Sequence, residues 1–282
     1  MDIRTLAVAT LLAGTAAPAA AQRPVFHGGH SHEPTTGGQA NPRLHVNPRW
    51  RECSFQLDSA LTQTSWHQFT GEAGVVIYFK PLVDARPMGR GKFEVSLLQW
   101  TTGIDDRDDA WNDTFVHPDS THWLFEGNGL KFPGITARAG LTDRTDASVY
   151  FTKNPNANYG FWGVQLQRNL VDNPGSNWAV ATRVSYSALF GPEDMAFGVA
   201  GADLLASRRY ALLGVGVSPY AGVTATFTRA HEKSAVVDLK DEGVFGAQAT
   251  AGAVAELSFA RVAFEYSVAR VPSMSLKIGL TR

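Results

Sequence analysis

Residues 243–282 read GVFGAQATAGAVAELSFARVAFEYSVARVPSMSLKIGLTR and alternate in character almost without a break. From Phe245, one parity carries Phe245, Ala247, Ala249, Ala251, Ala253, Ala255, Leu257 and Phe259. The other carries Gly246, Gln248, Thr250, Gly252, Glu256 and Ser258, with Val254 as the exception. After Ala260-Arg261 the pattern resumes as Val262, Phe264, Tyr266 and Val268 against Ala263, Glu265 and Ser267. After Pro272 it resumes as Leu276, Ile278 and Leu280 against Ser275, Lys277, Gly279 and Thr281. A period of two places successive side chains on opposite faces of a strand. The stretch therefore predicts three strands joined by two tight connections, and the fold turns on which solvent meets the apolar face.

Two features place lipid on that face. In a soluble barrel the apolar side points inward and the water-facing exterior carries many Lys and Glu. Here the second parity is mostly Gly, Ser, Thr and Gln, with scattered charges at Arg138, Arg183, Glu256, Glu265 and Lys277. That composition suits a confined, hydrated lumen. Aromatic residues also sit near strand ends, at Trp178 and Tyr186, Tyr210 and Phe227, and Phe245 and Phe259. Trp178 and Tyr186 lie roughly 26 Å apart along an extended strand. A tilt of about 40° projects this to roughly 20 Å, close to the apolar band of a membrane barrel. Aromatic rings favour both membrane interfaces. A secreted, lipocalin-like ligand-binding barrel is the alternative this argument weighs against.

The remainder of the chain is consistent with that reading. Charged residues make up 18% of the 282, and 27 are glycine, which favours β structure over a well-solvated helical domain. The net charge of −1 argues against a nucleic-acid partner. Residues 1–21 carry Arg4, an apolar run from Leu6 to Leu12, and Ala19-Ala20-Ala21. This order of charge, short apolar core and small residues predicts a secretory signal peptide, with the mature chain starting at Gln22. Cys53, the single cysteine, precludes an intrachain disulfide and lacks the setting of a lipidation site. Residues 22–50 read as an exposed arm rich in Pro and Gly. His27, His30, His32 and His45 in it are capable of metal binding, but nothing in the arm fixes a ligand geometry, so a solvated tail is the simpler reading.

Residues 51–282 are expected to form the barrel. Residues 51–70 fit either a first strand or a short segment at the base of the barrel or inside it. Ala73 to Leu82 alternates with Val75, Ile77 and Phe79 and reads as a strand, and further strands follow at 92–102, 132–142, 147–152, 159–170, 178–190, 195–205 and 210–229. Pro219 interrupts the last of these and predicts a bulge or bend. Long connections at 103–131 and 230–242 fall on one end, and short ones at 143–146, 207–209 and 260–261 on the other. Counting yields roughly eleven strands. Bacterial barrels have an even number, so the expected fold is an all-β, antiparallel transmembrane β-barrel of about 12 strands, with 10 as the alternative.

On these residues the chain resembles a bacterial outer-membrane β-barrel protein. The resemblance rests on the signal peptide, on Ser218-Pro219-Tyr220-Ala221-Gly222-Val223, and on the closing Ser275-Leu276-Lys277-Ile278-Gly279-Leu280-Thr281-Arg282. It covers residues 73–282 in pattern and points to no subfamily. It implies localisation in the outer membrane of a Gram-negative-type bacterium, with outer-membrane lipid as surroundings and the barrel-insertion machinery as a partner during assembly. That machinery reads an aromatic-ended last strand, and this chain ends in Thr281-Arg282.

Candidate chemistry is sparse. Asp105, Asp106, Asp108, Asp109 and Asp113, with Asn112, offer oxygens for Ca²⁺ in the first long loop. Their spacing is not that of an EF-hand, and a solvated acidic loop with local Asp and Asn turns explains them more simply. Trp111, Phe115, Trp123 and Phe125 suggest that this loop folds against something and caps the mouth of the barrel. His117, Ser120, His122 and His231 are the candidates for a lipid-modifying hydrolase, but no Gly-x-Ser-x-Gly elbow occurs. The expected function is therefore a structural or small-solute barrel without a cofactor and without catalysis. Arg138, Arg183, Glu256, Glu265 and Lys277 would line its lumen, either pairing across it or forming a selectivity ring.

Overall fold

In the computed structural model, residues 54–80, 82–105, 108–116, 130–153 and 157–282 are described. The signal peptide, the arm, Cys53, Asp106, His117, Ser120, His122, Trp123 and Phe125 lie outside them. The strands are β1 (Ser54–Phe55), β2 (Phe93–Thr102), β3 (Phe115–Val116), β4 (Leu130–Gly140), β5 (Thr145–Lys153), β6 (Gly160–Asn173), β7 (Trp178–Phe190), β8 (Met195–Arg208), β9 (Tyr210–Leu212), β10 (Val215–Glu232), β11 (Glu242–Glu256), β12 (Ala260–Val268) and β13 (Ser273–Thr281). Ten of them form the barrel, each antiparallel to its neighbours: β2, β4 to β8, and β10 to β13. β9 pairs with β10 alone, as a short continuation of the β8 edge. The last strand closes the sheet against the first, with Ile278 opposite Leu97 and Leu280 opposite Val95.

Ten is the lower of the two expected counts. The count of twelve fails because residues 63–82 contribute no strand. Gln63–Ile77 is an α-helix, N-capped by Thr62, whose side chain accepts from Ser65 N. Every residue from Glu72 to Lys80 is buried, so neither a two-residue nor a 3.6-residue rhythm of polarity marks the segment. The apparent alternation of Val75, Ile77 and Phe79 therefore carried no information about strand pairing. Pro219 causes no register shift against β11, where it faces Ala253. It lies where the ladder passes from β9 to β8, so its missing N–H costs little. The bulge is instead in β6, between Asn169 and Val171.

The faces of the strands divide as the alternation predicts. Phe245, Phe264, Tyr266, Val268, Leu276, Ile278 and Leu280 are exposed on the exterior, while Gln248, Thr250, Glu265, Ser267, Ser273, Ser275 and Lys277 are buried toward the lumen. Two aromatic levels ring the exterior. Phe227 stacks near Phe245 (centroids 4.8 Å), Phe151 near Phe190 (5.6 Å) and Trp162 near Tyr186 (5.6 Å) toward the long-loop end. Trp178 and Tyr210 flank the Arg208 guanidinium toward the other end, at 5.8 and 5.3 Å. Closure gives every wall strand a hydrogen-bonded neighbour on both sides while an apolar band faces outward. A bilayer core demands both conditions. A soluble barrel requires the reverse arrangement of faces.

Candidate functional site in the barrel lumen

Ten strands spaced about 4.8 Å apart and tilted by about 40° enclose a lumen roughly 20 Å across between backbones. A helix with its side chains is about 10–12 Å wide. One helix and a single layer of inward side chains therefore fill such a barrel, and the chain supplies both.

Residues 54–80 and 82–92 run through the lumen from one end to the other, and the partners at each step fix their direction. At the long-loop end, β1 pairs with β3 in the first long loop. Phe55 N donates to Asn158 Oδ1 (3.0 Å), Leu57 N donates to Asp194 Oδ2 (3.1 Å), and Lys240 N donates to Gln63 Oε1 (2.9 Å). Below them the helix meets the wall. A Cβ on Gly74 would lie 2.0 Å from Thr228 Oγ1, so only glycine lets the helix approach β10 there. Trp100 Nε1 donates to Val76 O (2.9 Å). The chain then extends. Tyr78 Oη donates to Asp203, Leu82 N donates to Glu265 Oε2 (3.0 Å), and Ala85 N donates to Ser207 Oγ (3.1 Å). Near the short-turn end, Met88 N donates to Asp146 Oδ2 (3.1 Å) and Gly91 N donates to Gly140 O (3.0 Å). β2 begins immediately afterward.

The upper lumen is aromatic. Phe55, Trp66, Phe69, Trp111, Phe115 and Tyr159 are all buried and in mutual ring contact. Trp111 and Phe115 belong to the first long loop, whose described residues 108–116 pack on the lumen helix and β1. The lower lumen is charged. Lys277 Nζ lies 2.6 Å from Glu94 Oε1, and Arg261 Nη1 lies 3.4 Å from Glu94 Oε2. Arg138 pairs with Asp146, and Arg183 Nη2 lies 3.2 Å from Asp203 Oδ1. Glu265 also accepts from Tyr220 Oη (2.7 Å). Glu256 pairs with Arg209 (2.9 Å) and Arg261 nearer the short-turn end. Ion pairs of this kind offset the loss of hydration that each charge suffers on burial, and losing one partner is what costs most. Among the described residues, the hydroxyls of Ser187 and Ser275 are buried without a protein hydrogen bond. Buried polar groups of this kind are usually water-bridged, so the lower lumen is polar in character throughout.

All five lumen-lining candidates point inward, four of them fully buried and Glu256 half-buried. The structure brings Arg183 and Glu265 together around the extended segment, through Tyr78 and Leu82. Lys277 and Glu256 are linked through Glu94 and Arg261, since Lys277 pairs with Glu94, Glu94 with Arg261, and Arg261 with Glu256. The sequence reading missed their partners Glu94, Asp146, Asp203 and Arg261. Their signal was available, since Glu94 and Asp203 occupy the same parity as their small polar neighbours. It missed Tyr78, Lys80 and Asp84 for a different reason, because they lie on no strand.

Of the acidic cluster, Asp108 is the N-cap of a short helix, Asp109–Asn112. Its Oδ1 accepts from Ala110 N (2.9 Å) and its Oδ2 from Gln68 Nε2 (2.8 Å) of the lumen helix. Asp109 begins that helix, Asp113 caps its end, and Asp105 O accepts from Asp108 N (3.3 Å). Among the described residues, no three His, Cys, Asp or Glu side chains are grouped to hold a metal. His231 pairs with Asp241 on the exposed long-loop end, and that hydrogen bond holds the Asp241 carboxyl below the usual carboxylate range.

The closed sheet, its apolar exterior and its aromatic levels decide the class. The chain is an outer-membrane-type β-barrel. No protein-family model matches the sequence, and no match is found among curated protein sequences. Solved structures that resemble it include the β domain of the Bordetella autotransporter BrkA (12% identity, TM-score 0.38, covering 68% of this chain and 98% of that one). LpxR from Salmonella typhimurium (9%, 0.34, 67% and 99%) and the translocator domain of the autotransporter NalP from Neisseria meningitidis (12%, 0.33, 68% and 88%) are others. At these scores the likeness carries none of the argument, which rests on the barrel's own geometry.

Proposed function

We propose that this barrel is a structural element of the outer membrane, closed to passive passage by its own N-terminal segment and without catalysis. The observation that carries this reading is the descent of residues 54–80 and 82–92 through the lumen, with hydrogen bonds to the wall or the end loops along its length. Orientation follows from connection length. The 103–129 and 233–241 loops are long and the 141–144 and 257–259 turns are short, and outer-membrane barrels keep long loops outside and short turns in the periplasm. His231, the described candidate for a hydrolase, hydrogen-bonds Asp241 and no serine among the described residues, which supports a role in the loop over one in acyl transfer.

The polar lower lumen favours a second, competing reading, passage of small solutes. Planar-bilayer recording separates the two. Intact, heat-modifiable protein is expected to produce no discrete current steps, whereas a variant lacking residues 63–80 is expected to produce them. Discrete steps from the intact protein would overturn the closed reading and establish the small-solute one.

A further inference from the structure

The direction of the lumen segment has a consequence for the part of the chain that precedes it. A periplasmic plug would enter from the short-turn end, close to the first strand. Here the chain connects to the first strand at that end, through Gly91 and Lys92, and its other end, Ser54, is at the long loops. Ser54 and Phe55 are paired to Val116 and Phe115 of the first long loop. Asn158 clasps Phe55 from the β5–β6 loop through both N–H and C=O (3.0 and 2.8 Å), and Asp194 holds Leu57 from the β7–β8 loop. Three separate outer loops thus bind the chain where it leaves the lumen.

We propose that the chain crosses the outer membrane through its own barrel, so that residues 22–53 are presented on the extracellular side. This rests on the orientation given above. The physical reason is exclusion of every other route. The sheet is closed by β13 on β2 and by β10 on β11, which leaves no lateral slot. The lumen is already occupied by residues 54–92, so the chain has no path back through it. The hydrocarbon core does not admit an unpaired polar backbone, and residues 22–53 carry four arginines, two glutamates, four histidines and repeated Pro and Gly in place of an apolar span. The barrel then has a further function, as a holder that displays its own N-terminal segment at the cell surface. The lumen helix and the charged ladder beneath it are the anchor that keeps that segment from sliding back.

Site-specific labelling in whole cells tests this. Three single-cysteine variants of the full chain are made in a Cys53→Ser background: Ser31→Cys in the arm, Ala235→Cys in the exposed 233–241 loop, and Gly175→Cys in the short turn, where an added Cβ meets nothing closer than 3.4 Å. Each is retained only if it shows the compact, heat-modifiable band of a folded barrel. A membrane-impermeant maleimide applied to intact cells is expected to label Ser31→Cys and Ala235→Cys alike, and to label Gly175→Cys only after the outer membrane is permeabilised. Labelling of Ala235→Cys with Ser31→Cys protected would overturn the proposal while leaving the barrel's orientation intact. Labelling of Gly175→Cys in place of Ala235→Cys would overturn the orientation, and the proposal with it. The unaltered protein supplies a second measurement. Trypsin added to intact cells is expected to remove the arm at Arg43, Arg49 or Arg51 while the barrel remains whole, and an N-terminus still intact after trypsin would count against surface display.

Discussion

Glu265→Leu is the sharpest single test of how the lumen segment is held. Glu265 is fully buried on β12, and one of its oxygens, Oε2, accepts from both Tyr220 Oη (2.7 Å) and Leu82 N (3.0 Å). Leucine has similar bulk and no acceptor. The change leaves a buried hydroxyl and a buried backbone N–H without a partner, and each such group costs about 1–3 kcal/mol. The sum, about 2–6 kcal/mol, is an upper range, because water in a polar lumen recovers part of it. We therefore expect a loss of about 2–4 kcal/mol. With a urea slope of about 2 kcal/mol per molar, the unfolding midpoint falls by roughly 1–2 M. The assay is urea unfolding of the purified protein in lipid vesicles, followed by loss of the compact gel band. Glu265→Gln retains an acceptor oxygen and should lose less than half as much. The double variant Glu265→Leu, Tyr220→Phe should lose less than the sum of the single variants, because both remove the same hydrogen bond. A Glu265→Leu protein that unfolds with wild type, or a Gln variant as damaged as the Leu variant, would refute the claim that this carboxylate pins the segment.

Further tests address the exterior, the helix and the first loop. Val223→Arg, exposed midway along β10, should destabilise the barrel by about 2–4 kcal/mol in lipid. The same change at Phe245, at the aromatic level, should cost about 1 kcal/mol or less; equal and negligible effects would argue for a water-facing exterior. Gly74→Val drives a side chain into Thr228. It should displace the helix while leaving the barrel folded, read as a heat-modifiable band combined with new protease sensitivity near residues 63–80. Asp108→Ala removes both the cap of the short helix and the bond to Gln68, and should cost about 0.5–2 kcal/mol. Because Asp108 already spends both oxygens on protein donors, the thermal midpoint of the wild type should be the same in Ca²⁺ and in chelator. A rise in Ca²⁺ that Asp108→Ala abolishes would establish a metal site instead.

Much of the wall was legible because a strand exposed to lipid on one side and to a lumen on the other must alternate. Phe264, Glu265 and Tyr266 announce their faces in three consecutive letters. The same logic placed Arg138, Arg183, Glu256, Glu265 and Lys277 on the inner parity before any geometry was known. It could not pair them, since the side chains of Glu94 and Lys277, whose strand partners are Thr281 and Leu98, are brought within reach of each other only by closure of the last strand on the first. The lumen segment was illegible for the complementary reason. Surrounded by protein on all sides, Glu72 to Lys80 has no polar face to set against an apolar one, and the β-branched Val75, Val76 and Ile77 favoured the strand reading.

The sequence alone determined the fold class of this protein and which face of each wall strand meets lipid. Its two-residue rhythm, lightly charged second parity and aromatic strand ends are direct records of contact with lipid and lumen, and they can be read locally. Tertiary structure decided the strand count, the ion-pair partners and above all the path of residues 54–92. Those depend on what surrounds a side chain in the closed barrel, and a segment wrapped by protein on every side carries no local trace of which end of the lumen it enters.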